Sequence, residues 1–356
     1  MQEETWKCEI EKIDLPDEGM RRAALARWNS LAKPLHGMGR LEEMLAAIAG
    51  IQGTLHPAVR KKGIVVLCAD NGIVKEGVSQ TGADVTAVVA GNFLTGQTSV
   101  CKMAKVAGAD ILPYDIGILT DVEGLTKKEY KVACGTRDFL EEPAMTREET
   151  IRAILTGMQI VKEKKEEGYE ILATGEMGIG NTTTSSAVAC ALTGEKAEMM
   201  TGRGAGLSDA GLLRKKQVID RGLALRCPDP SDPVDVLSQV GGLDLAGLTG
   251  VFLGCARYRI PAVLDGFISS VAALAAVRIE PKTKAFLFAS HRSREYAHGK
   301  ILEELGLKAV LDLDMALGEG TGACALFPLL DMASVVYEEM SSFEEIQIEQ
   351  YKEYTS

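Results

Sequence analysis

The chain has 356 residues, of which 46% are hydrophobic and 25% charged, and 50 acidic against 39 basic side chains give a formal net charge of -11. The apolar fraction is ample for a buried core, which excludes an intrinsically disordered chain. A protein dedicated to DNA or RNA is not expected, because phosphate backbones select a basic surface. The 37 glycines and the aromatic content of 5% favour an aliphatic α/β enzyme whose backbone approaches a ligand closely.

We expect no membrane segment, no secretion signal and no metal centre. No run of about 18 apolar residues is present, and the N-terminal segment MQEETWKCEIEKIDLPDE is acidic and polar. The histidines lack metal-binding spacing and no CxxC pair occurs, so a reducing cytoplasm is the expected location. The scattered cysteines are Cys8, Cys68, Cys101, Cys134, Cys190, Cys227, Cys255 and Cys324.

The two ends of the chain are expected to be helical. Asp17 is in position to cap a helix over EGMRRAALARWNSLA, which Pro34 ends, and LHGMGRLEEMLAAIAGIQG continues as a second helix. The acidic C-terminal tail has a helical pattern as well. We therefore expect residues 1–34 and 333–356 to pack together as a small helical domain beside a large α/β catalytic domain over residues 35–332.

Between these ends, continuous aliphatic runs alternate with helical patterns, as expected for strands buried on both faces. Strand and helix in alternation predict an α/β fold with a mostly parallel sheet and right-handed crossovers. Ligands of such sheets lie outside the carboxyl ends of the strands, so the polar ends of these runs should form the site. The runs are GIVVLCAD to Asp70, ADILPYD to Asp115, YEILATGE to Glu176, IPAVLDG with Asp265, KAFLFASH to His291 and KAVLDLD to Asp314.

The segment TGEMGIGNTTTSS follows a predicted strand and precedes a small-residue helix. Gly178 and Gly180 permit a tight turn with exposed N–H groups, and Asn181, Thr182 and Thr183 are able to cap the helix. Amides, hydroxyls and a helix dipole would then converge on a phosphate. The loop is neither a Walker A motif nor a dinucleotide fingerprint, because the lysine and the third glycine are missing. An ordinary glycine turn with a threonine cap is the alternative.

Two further glycine motifs carry charged side chains. In GRGAGLSDAGLLRKK, Gly204 lies in a flexible loop with Lys215 nearby, which suggests an anionic ligand, while a solvated basic helix face is the alternative. In MALGEGTGACALFPLL, Glu319 lies between glycines before an apolar helix. Shielding would raise the pKa of this carboxyl and suit it to general-base work, while an acid that interacts with the helix dipole is the alternative. Glu176 could supply a second carboxylate, as in a glycosidase.

With these motifs in place, the chain resembles the nicotinate-nucleotide–dimethylbenzimidazole phosphoribosyltransferase family over essentially its whole length. The resemblance implies a Rossmann-like parallel sheet with flanking helices and a small helical domain, a homodimer, and neither metal nor cofactor. The matching segments are LHGMGRLE, ADNGIVKEGVSQTGADVT, NFLTG, DIG, GEMGIGNTTTSSA, GRGAGL, VLDGFI, SHRSREYAH and LGEGTGA.

The resemblance implies a step of cobalamin nucleotide-loop assembly. The 5-phosphoribosyl group of nicotinate mononucleotide passes to 5,6-dimethylbenzimidazole or a related base, giving α-ribazole 5'-phosphate and nicotinate. Glu319 of the LGEG motif corresponds to the general base, and Glu176 to a second active-site carboxylate. Residues 178–183 correspond to the phosphate cradle, and Lys215 and Ser293 match positions associated with the nucleotide phosphate.

Further substrate contacts are expected at Gly204 and Asp265. The expected base pocket comprises Asp70, Ser79, Gln80 and Leu317.

The sequence departs from the family pattern at a few positions. Asn71 stands where histidine is more often expected, Thr81 and Gly82 where an aromatic residue and a proline are, and Ala316 where arginine is. The changes at Asn71, Thr81 and Gly82 lie near the expected base pocket, so they leave open whether adenine, another benzimidazole or a phenol is the accepted base. The change at Ala316 concerns the binding of the phosphate. A nucleotide N-glycosidase that uses water, and a non-catalytic nucleotide-binding sensor, are the alternative functions.

Overall fold

The computed structural model describes residues 2–352, so Met1 and the end of the predicted helical tail, residues 353–356, lie outside the described part. Within that part, no helix is long and apolar enough to span a lipid bilayer. The strands are β1 (Lys62–Ala69), β2 (Ala109–Gly117), β3 (Ile171–Met177), β4 (Ala262–Leu264), β5 (Leu287–Ala289), β6 (His291–Arg292) and β7 (Leu311–Asp312). The α-helices are α1 (Gln2–Glu11), α2 (Glu18–Ser30), α3 (Arg40–Gln52), α4 (Asp84–Leu94), α5 (Ser99–Ala107), α6 (Arg147–Glu166), α7 (Asn181–Thr193), α8 (Ala197–Met200), α9 (Asp209–Arg226), α10 (Pro233–Val240), α11 (Leu243–Tyr258), α12 (Phe267–Ile279), α13 (Tyr296–Leu305) and α14 (Thr321–Glu339).

The main sheet has the strand order β2-β1-β3-β4-β5, and every pair in it is parallel. This confirms the predicted parallel α/β fold with flanking helices. All eight residues of β1 are buried, as its continuous aliphatic run indicated. The direction of winding reverses between β1 and β3, which is where an open α/β sheet forms its ligand crevice. The loops after β1 and β3 therefore face the expected site.

Two predicted strands differ from the observed ones. The run KAFLFASH begins inside a 3-10 helix, Pro281–Phe286, so β5 keeps only three residues. The run KAVLDLD gives the two-residue strand β7, which pairs with β6 in a separate parallel ladder outside the main sheet. This small ladder matters for the site because β6 leads directly to Ser293.

The terminal segments pack against each other. Asp17 caps α2 as predicted, with its Oδ1 atom accepting the Met20 N–H at 2.9 Å. The rings of Trp28 and Tyr337 lie 5.0 Å apart, and Leu31 and Ser342 form an antiparallel bridge. The predicted helical tail is shorter than expected, because α14 ends at Glu339 and the described residues beyond it form a bridge, turns and extended chain.

Candidate active site

A cavity of about 240 Å³ opens at the carboxyl ends of β3 and β4. Five segments form its wall: the loop after β3, the loop with Gly204 between α8 and α9, the end of β4 with the start of α12, the stretch from β6 to Glu295, and the turn that precedes α14. The predicted site residues that line it are Glu319, Glu176, Gly178, Asn181, Thr182, Gly204, Asp265, Ser293 and Leu317. Fold topology thus brings together residues that are far apart in the sequence.

Other predicted residues lie beside this cavity. Ser79, Gln80 and Gly180 line an adjoining cavity of about 80 Å³, which shares the loop after β3 with the larger one. The Gln80 amide donates a hydrogen bond to the carbonyl oxygen of Gly206. The loop after β3 is therefore a wall common to both cavities.

Asp70 and Thr183 are buried outside both cavities. The Oδ2 atom of Asp70 accepts the Leu119 N–H at 2.8 Å, so this side chain holds the loop after β2. Thr183 is fully buried in α7. The cap of α7 also differs from expectation, because Gly180, with a φ of 92° and no side chain, is the cap residue. The geometry therefore leaves the predicted ligand roles of Asp70 and Thr183 without support.

Glu176 is a nearly buried carboxyl at the end of β3, with 8% of its surface exposed. The side-chain amide of Asn181 donates a hydrogen bond to its Oε2 atom. Burial, together with the nearby charge of Asp244, raises the pKa of Glu176 to about 8, while the Asn181 hydrogen bond opposes both effects. The side chain therefore meets the cavity as an acid that favours its protonated form.

Glu319 occupies the centre of a tight turn. Its φ is 61°, between Gly318 at 87° and Gly320 at 89°, so a side chain is held where the backbone favours glycine. Its Oε2 atom is buried without a hydrogen-bond partner in the described structure. Burial raises the pKa of this carboxyl, and the backbone N–H of Val100 at the start of α5 opposes the rise. Such a carboxylate is suited to act as a base, since a raised pKa favours uptake of a proton.

Asp265 holds the turn that carries Glu319. Its Oδ1 atom accepts the N–H groups of Gly322 and Ala323 at 2.8 and 3.1 Å, and its Oδ2 atom accepts that of Gly320 at 3.1 Å. The carboxylate thereby binds the N-terminal N–H groups of α14. Although Asp265 lines the cavity, both of its oxygens serve the protein backbone.

Lys215 lies behind Thr182 rather than at the cavity surface. Its side chain is 1% exposed, and its Nζ atom donates to the Thr182 hydroxyl at 2.8 Å and to the Gly202 carbonyl at 3.3 Å. Burial lowers the pKa of Lys215 to about 8, while the charge of Glu295 acts in the opposite direction. An anion bound at Thr182 would supply the charge that these neutral partners lack.

His291, the polar end of a predicted strand, lines the cavity, and its ring packs so closely that a Cβ atom on Gly322 would lie 2.0 Å from its Nδ1 atom. Sequence reasoning missed two further polar residues of this region, of which Glu295 also lines the cavity. Asp244, at the start of α11, is fully buried behind the loop after β3. The glycine pair before Asp244 is the one local signal that marked a close approach. Within the described residues, no group of three His, Cys, Asp or Glu side chains is placed to hold a metal ion.

Comparisons with known proteins agree with this geometry. A family model described as "Phosphoribosyltransferase" matches residues 13–348. The nicotinate-nucleotide–dimethylbenzimidazole phosphoribosyltransferase of Acetivibrio thermocellus is 51% identical over 328 residues, which cover 92% of this chain and 93% of that protein. The protein of the same name from Ruminiclostridium cellulolyticum is 47% identical over 339 residues, covering 95% of this chain and 96% of the relative.

Solved structures give the same result. The crystal structure of CobT from Thermus thermophilus is similar with a TM-score of 0.87 at 39% identity, covering 94% of this chain and all of that one. A second crystal structure, of the nicotinate-nucleotide–dimethylbenzimidazole phosphoribosyltransferase from the same organism, has a TM-score of 0.86 at 38% identity. This chain belongs to the nicotinate-nucleotide–dimethylbenzimidazole phosphoribosyltransferase family.

Proposed function

We propose that this chain transfers the 5-phosphoribosyl group of nicotinate mononucleotide to a benzimidazole-type base, releasing nicotinate and giving α-ribazole 5'-phosphate. The proposal rests on the observation that Glu319 and Glu176 line the same cavity. The loop after β3 forms part of the wall of this cavity. Names of the relatives supply the substrates: nicotinate nucleotide and dimethylbenzimidazole. In this chain, 5,6-dimethylbenzimidazole is the expected base, as part of cobalamin nucleotide-loop assembly.

The phosphate of the nucleotide fits the region around Thr182. Thr182, Gly204 and Ser293 line the same cavity, and the Lys215 ammonium group donates to the Thr182 hydroxyl from behind. Gly178 and Asn181 bring the start of α7 to the same place, and a helix start attracts an anion. This arrangement would fix the 5'-phosphate and leave the ribose C1' carbon toward the carboxyl side of the cavity.

The base is expected to enter next to Glu319. Leu317 is 54% exposed and supplies an apolar surface at the cavity, while Ser79 and Gln80 line the adjoining space. One ring nitrogen of the base attacks C1' as nicotinate leaves, and Glu319 takes the proton from the other ring nitrogen. The nicotinate leaves from a pyridinium that already carries positive charge, so the main task of the protein is to align the two substrates.

Two further properties rest on the family resemblance. We propose that the protein is a homodimer in the cytoplasm, and that residues 1–34 with 333–356 act as a small helical domain beside residues 35–332. A sedimentation mass of one chain, 38.1 kDa, would contradict the dimer.

The test is to incubate the protein with nicotinate mononucleotide, with and without 5,6-dimethylbenzimidazole, and to separate the products by chromatography. Nicotinate and α-ribazole 5'-phosphate are expected in equal amounts, and only when the base is present. Release of nicotinate without added base would identify a nucleotide N-glycosidase, and binding without turnover would identify a sensor. Competition among dimethylbenzimidazole, adenine and a phenol then ranks the accepted bases.

A further inference from the structure

The imidazole ring of His298 lies behind the cavity wall and bonds two serines. His298 is in the first turn of α13, is 0% exposed and does not line the cavity. Its Nδ1 atom accepts the backbone N–H of Ser293 at 2.9 Å, and its Nε2 atom lies 2.9 Å from the Oγ atom of Ser270 on α12. The ring therefore joins α12 to the segment between β6 and α13, residues 293–295.

These two contacts fix the tautomer of His298. A backbone N–H donates to Nδ1, so this nitrogen carries a lone pair and no hydrogen. A neutral imidazole then carries its hydrogen on Nε2, which donates it to the Ser270 hydroxyl oxygen. A charged imidazolium has hydrogens on both nitrogens, and the one on Nδ1 would face the Ser293 N–H. The contact with Ser293 therefore requires a neutral ring.

The surroundings of His298 favour the neutral ring. Both hydrogen-bond partners, a backbone N–H and a hydroxyl group, are uncharged. Burial, and after it the nearby His291 and Arg292, lowers the pKa of His298 to about 3. The ring of His291 lies 6.0 Å away, and its own Nδ1 atom lies 3.0 Å from the Oγ atom of a different serine, Ser290. The two histidines of this segment thus bond separate serines.

The hydroxyl group of Ser293 keeps a hydrogen that it is able to donate. Ser293 is 7% exposed and lines the cavity. Its Oγ atom accepts the backbone N–H of Glu295 at 3.3 Å, and the described residues offer no acceptor for the hydroxyl hydrogen. A hydroxyl group has one hydrogen to donate beside its lone pairs, so the Ser293 hydroxyl is suited to an acceptor that enters the cavity.

The segment that carries Ser293 packs against the loop between α8 and α9. The Glu295 carboxyl group lies so close to Gly202 that a Cβ atom there would overlap its Oε2 atom. The carbonyl oxygen of Gly202 in turn accepts a hydrogen bond from the Lys215 ammonium group at 3.3 Å. The segment thereby borders the place where Lys215 and Thr182 are proposed to bind the phosphate.

We propose that His298 is a positioning residue for phosphate binding: as a neutral acceptor it holds the backbone of Ser293, so that the Ser293 hydroxyl donates to the nucleotide phosphate. This role deepens the proposed transferase and rests on it for the identity of the nucleotide. His298 itself touches neither the substrate nor the reacting atoms. Its contact matters because Ser293 follows a strand of two residues, β6, whose short ladder holds the backbone at few points.

Two amide side chains separate the two bonds of His298. In His298→Asn the amide oxygen takes the place of Nδ1, so the acceptor for the Ser293 N–H is kept and the contact with Ser270 is lost. In His298→Gln the amide group reaches the place of Nε2, so the contact with Ser270 is kept and the acceptor for Ser293 is lost. Each variant loses one buried hydrogen bond, so thermal unfolding should show a comparable loss of stability in both.

The test compares both variants with the wild type by titration calorimetry with nicotinate mononucleotide and by steady-state kinetics. His298→Gln should bind the nucleotide about tenfold less tightly and raise its KM to the same degree, since a hydrogen bond to a charged group is weakened. The kcat and the KM for the base should change little, because the phosphate does not take part in the bond changes. His298→Asn should stay close to the wild type.

Equal losses of affinity in His298→Asn and His298→Gln, or an unchanged affinity in His298→Gln, would overturn the proposal. A fall in kcat at unchanged KM for the nucleotide would overturn it too. His56→Gln is the matched control, because His56 is exposed and its Nδ1 atom contacts Glu338, outside the cavity. This variant should keep the affinity of the wild type.

Nitrogen NMR of wild-type protein labelled at its 4 histidines gives a readout that needs neither turnover nor a variant that folds. The His298 ring, assigned through its contact with the Ser293 N–H, should show a bare Nδ1 and a protonated Nε2 from about pH 5 to pH 8. A proton on Nδ1 in this range would overturn the proposal. Lack of turnover in a wild type that binds the nucleotide would contradict the transferase alone.

Discussion

The ammonium nitrogen of Lys215 lies 2.8 Å from the hydroxyl oxygen of Thr182, at a depth where 1% of the lysine side chain is exposed. No carboxylate of the described residues lies within 4 Å of that nitrogen. A buried cation with neutral partners is costly, and a phosphate bound at Thr182 would offset that cost. A bound phosphate would therefore stabilise the charged form of Lys215 behind the cavity wall.

Nicotinate mononucleotide should therefore bind less tightly as the pH rises through about 8, where free Lys215 loses its proton. The nucleotide phosphate is already a dianion at this pH, so a change in affinity across this range reports the charge of Lys215. Lys215→Met should weaken binding about tenfold or more at pH 7, which is the effect of losing one charge-assisted hydrogen bond. Titration calorimetry across this pH range measures both effects.

Lys215→Arg is the matched variant for that measurement, because an arginine stays charged at these pH values. Binding by Lys215→Arg should not show the loss above pH 8, even if its larger head group lowers the affinity overall. A wild-type affinity that is flat from pH 7 to 9 would show that Lys215 does not contact the phosphate through its charge.

The state of Glu176 should also appear in the stability of the protein. Its folded pKa of about 8 lies above the usual value of 4.5, so the folded chain binds a proton that the unfolded chain releases. This contribution is fully present below about pH 4.5 and is lost as the pH rises toward 8. Glu176→Gln should therefore be more stable than the wild type at pH 8, by an amount that grows by about 1.4 kcal/mol per pH unit across this window.

Urea denaturation at pH 4.5, 6 and 8 checks this prediction. Glu141→Gln, at an exposed position, is the control for removal of one acidic side chain. A difference between Glu176→Gln and the wild type that stays constant across the three pH values would contradict a raised folded-state pKa.

The parallel sheet and the two glutamates of the cavity were predictable from the sequence. Strands buried on both faces read as aliphatic runs, and Glu176 and Glu319 stand in glycine motifs at strand or helix ends. Asp244 was not predictable, because its approach to Gly178 depends on how α11 packs across β1 and β3. Periodicity reports the buried face of an element, whereas contacts between distant segments follow from tertiary packing.

The caps and short strands illustrate the same limit. Threonines beside a glycine favoured a side-chain cap for α7, but the turn needs a φ of 92° at Gly180, and this conformation made the glycine the cap. The run KAVLDLD has the composition of a central strand, yet it pairs with β6 over two residues only. The local sequence limits the conformations that a segment is able to adopt, while packing against neighbouring segments determines which of them forms.

We expect Glu319 to lower the stability of the fold through its backbone conformation while its carboxyl group provides activity. Its left-handed backbone costs about 1 kcal/mol for a residue with a side chain, and glycine avoids this cost. Glu319→Gly should therefore gain about 1 kcal/mol of unfolding free energy and lose turnover. Glu319→Gln keeps the strained backbone, so it should lose turnover without that gain while still binding nicotinate mononucleotide.

Chemical denaturation and single-turnover assays on the two variants separate these effects. Normal turnover by Glu319→Gln would remove Glu319 from the role of general base. A loss of stability in Glu319→Gly would show that contacts of the side chain outweigh the backbone strain.

Gly175, in β3, packs directly against the backbone of the turn that carries Glu319. A Cβ atom at Gly175 would lie 2.5 Å from the carbonyl oxygen of Glu319 and 2.9 Å from the backbone nitrogen of Gly320. Because β3 pairs with strands on both sides, the strand is unable to retreat, and Gly175→Ala should push the turn outward. We expect kcat to fall about tenfold or more, since small displacements of a reacting group are costly.

Gly91→Ala is the control for adding one methyl group. Gly91 lies inside α4, where a Cβ atom would meet only a Val122 methyl group at 3.9 Å, so this variant should be fully active and slightly more stable. Steady-state kinetics with both substrates, together with thermal unfolding, compare the two variants. If Gly175→Ala kept the wild-type kcat, the turn would be free to shift without harm, and Glu319 would not need the fixed position that Asp265 and β3 give it.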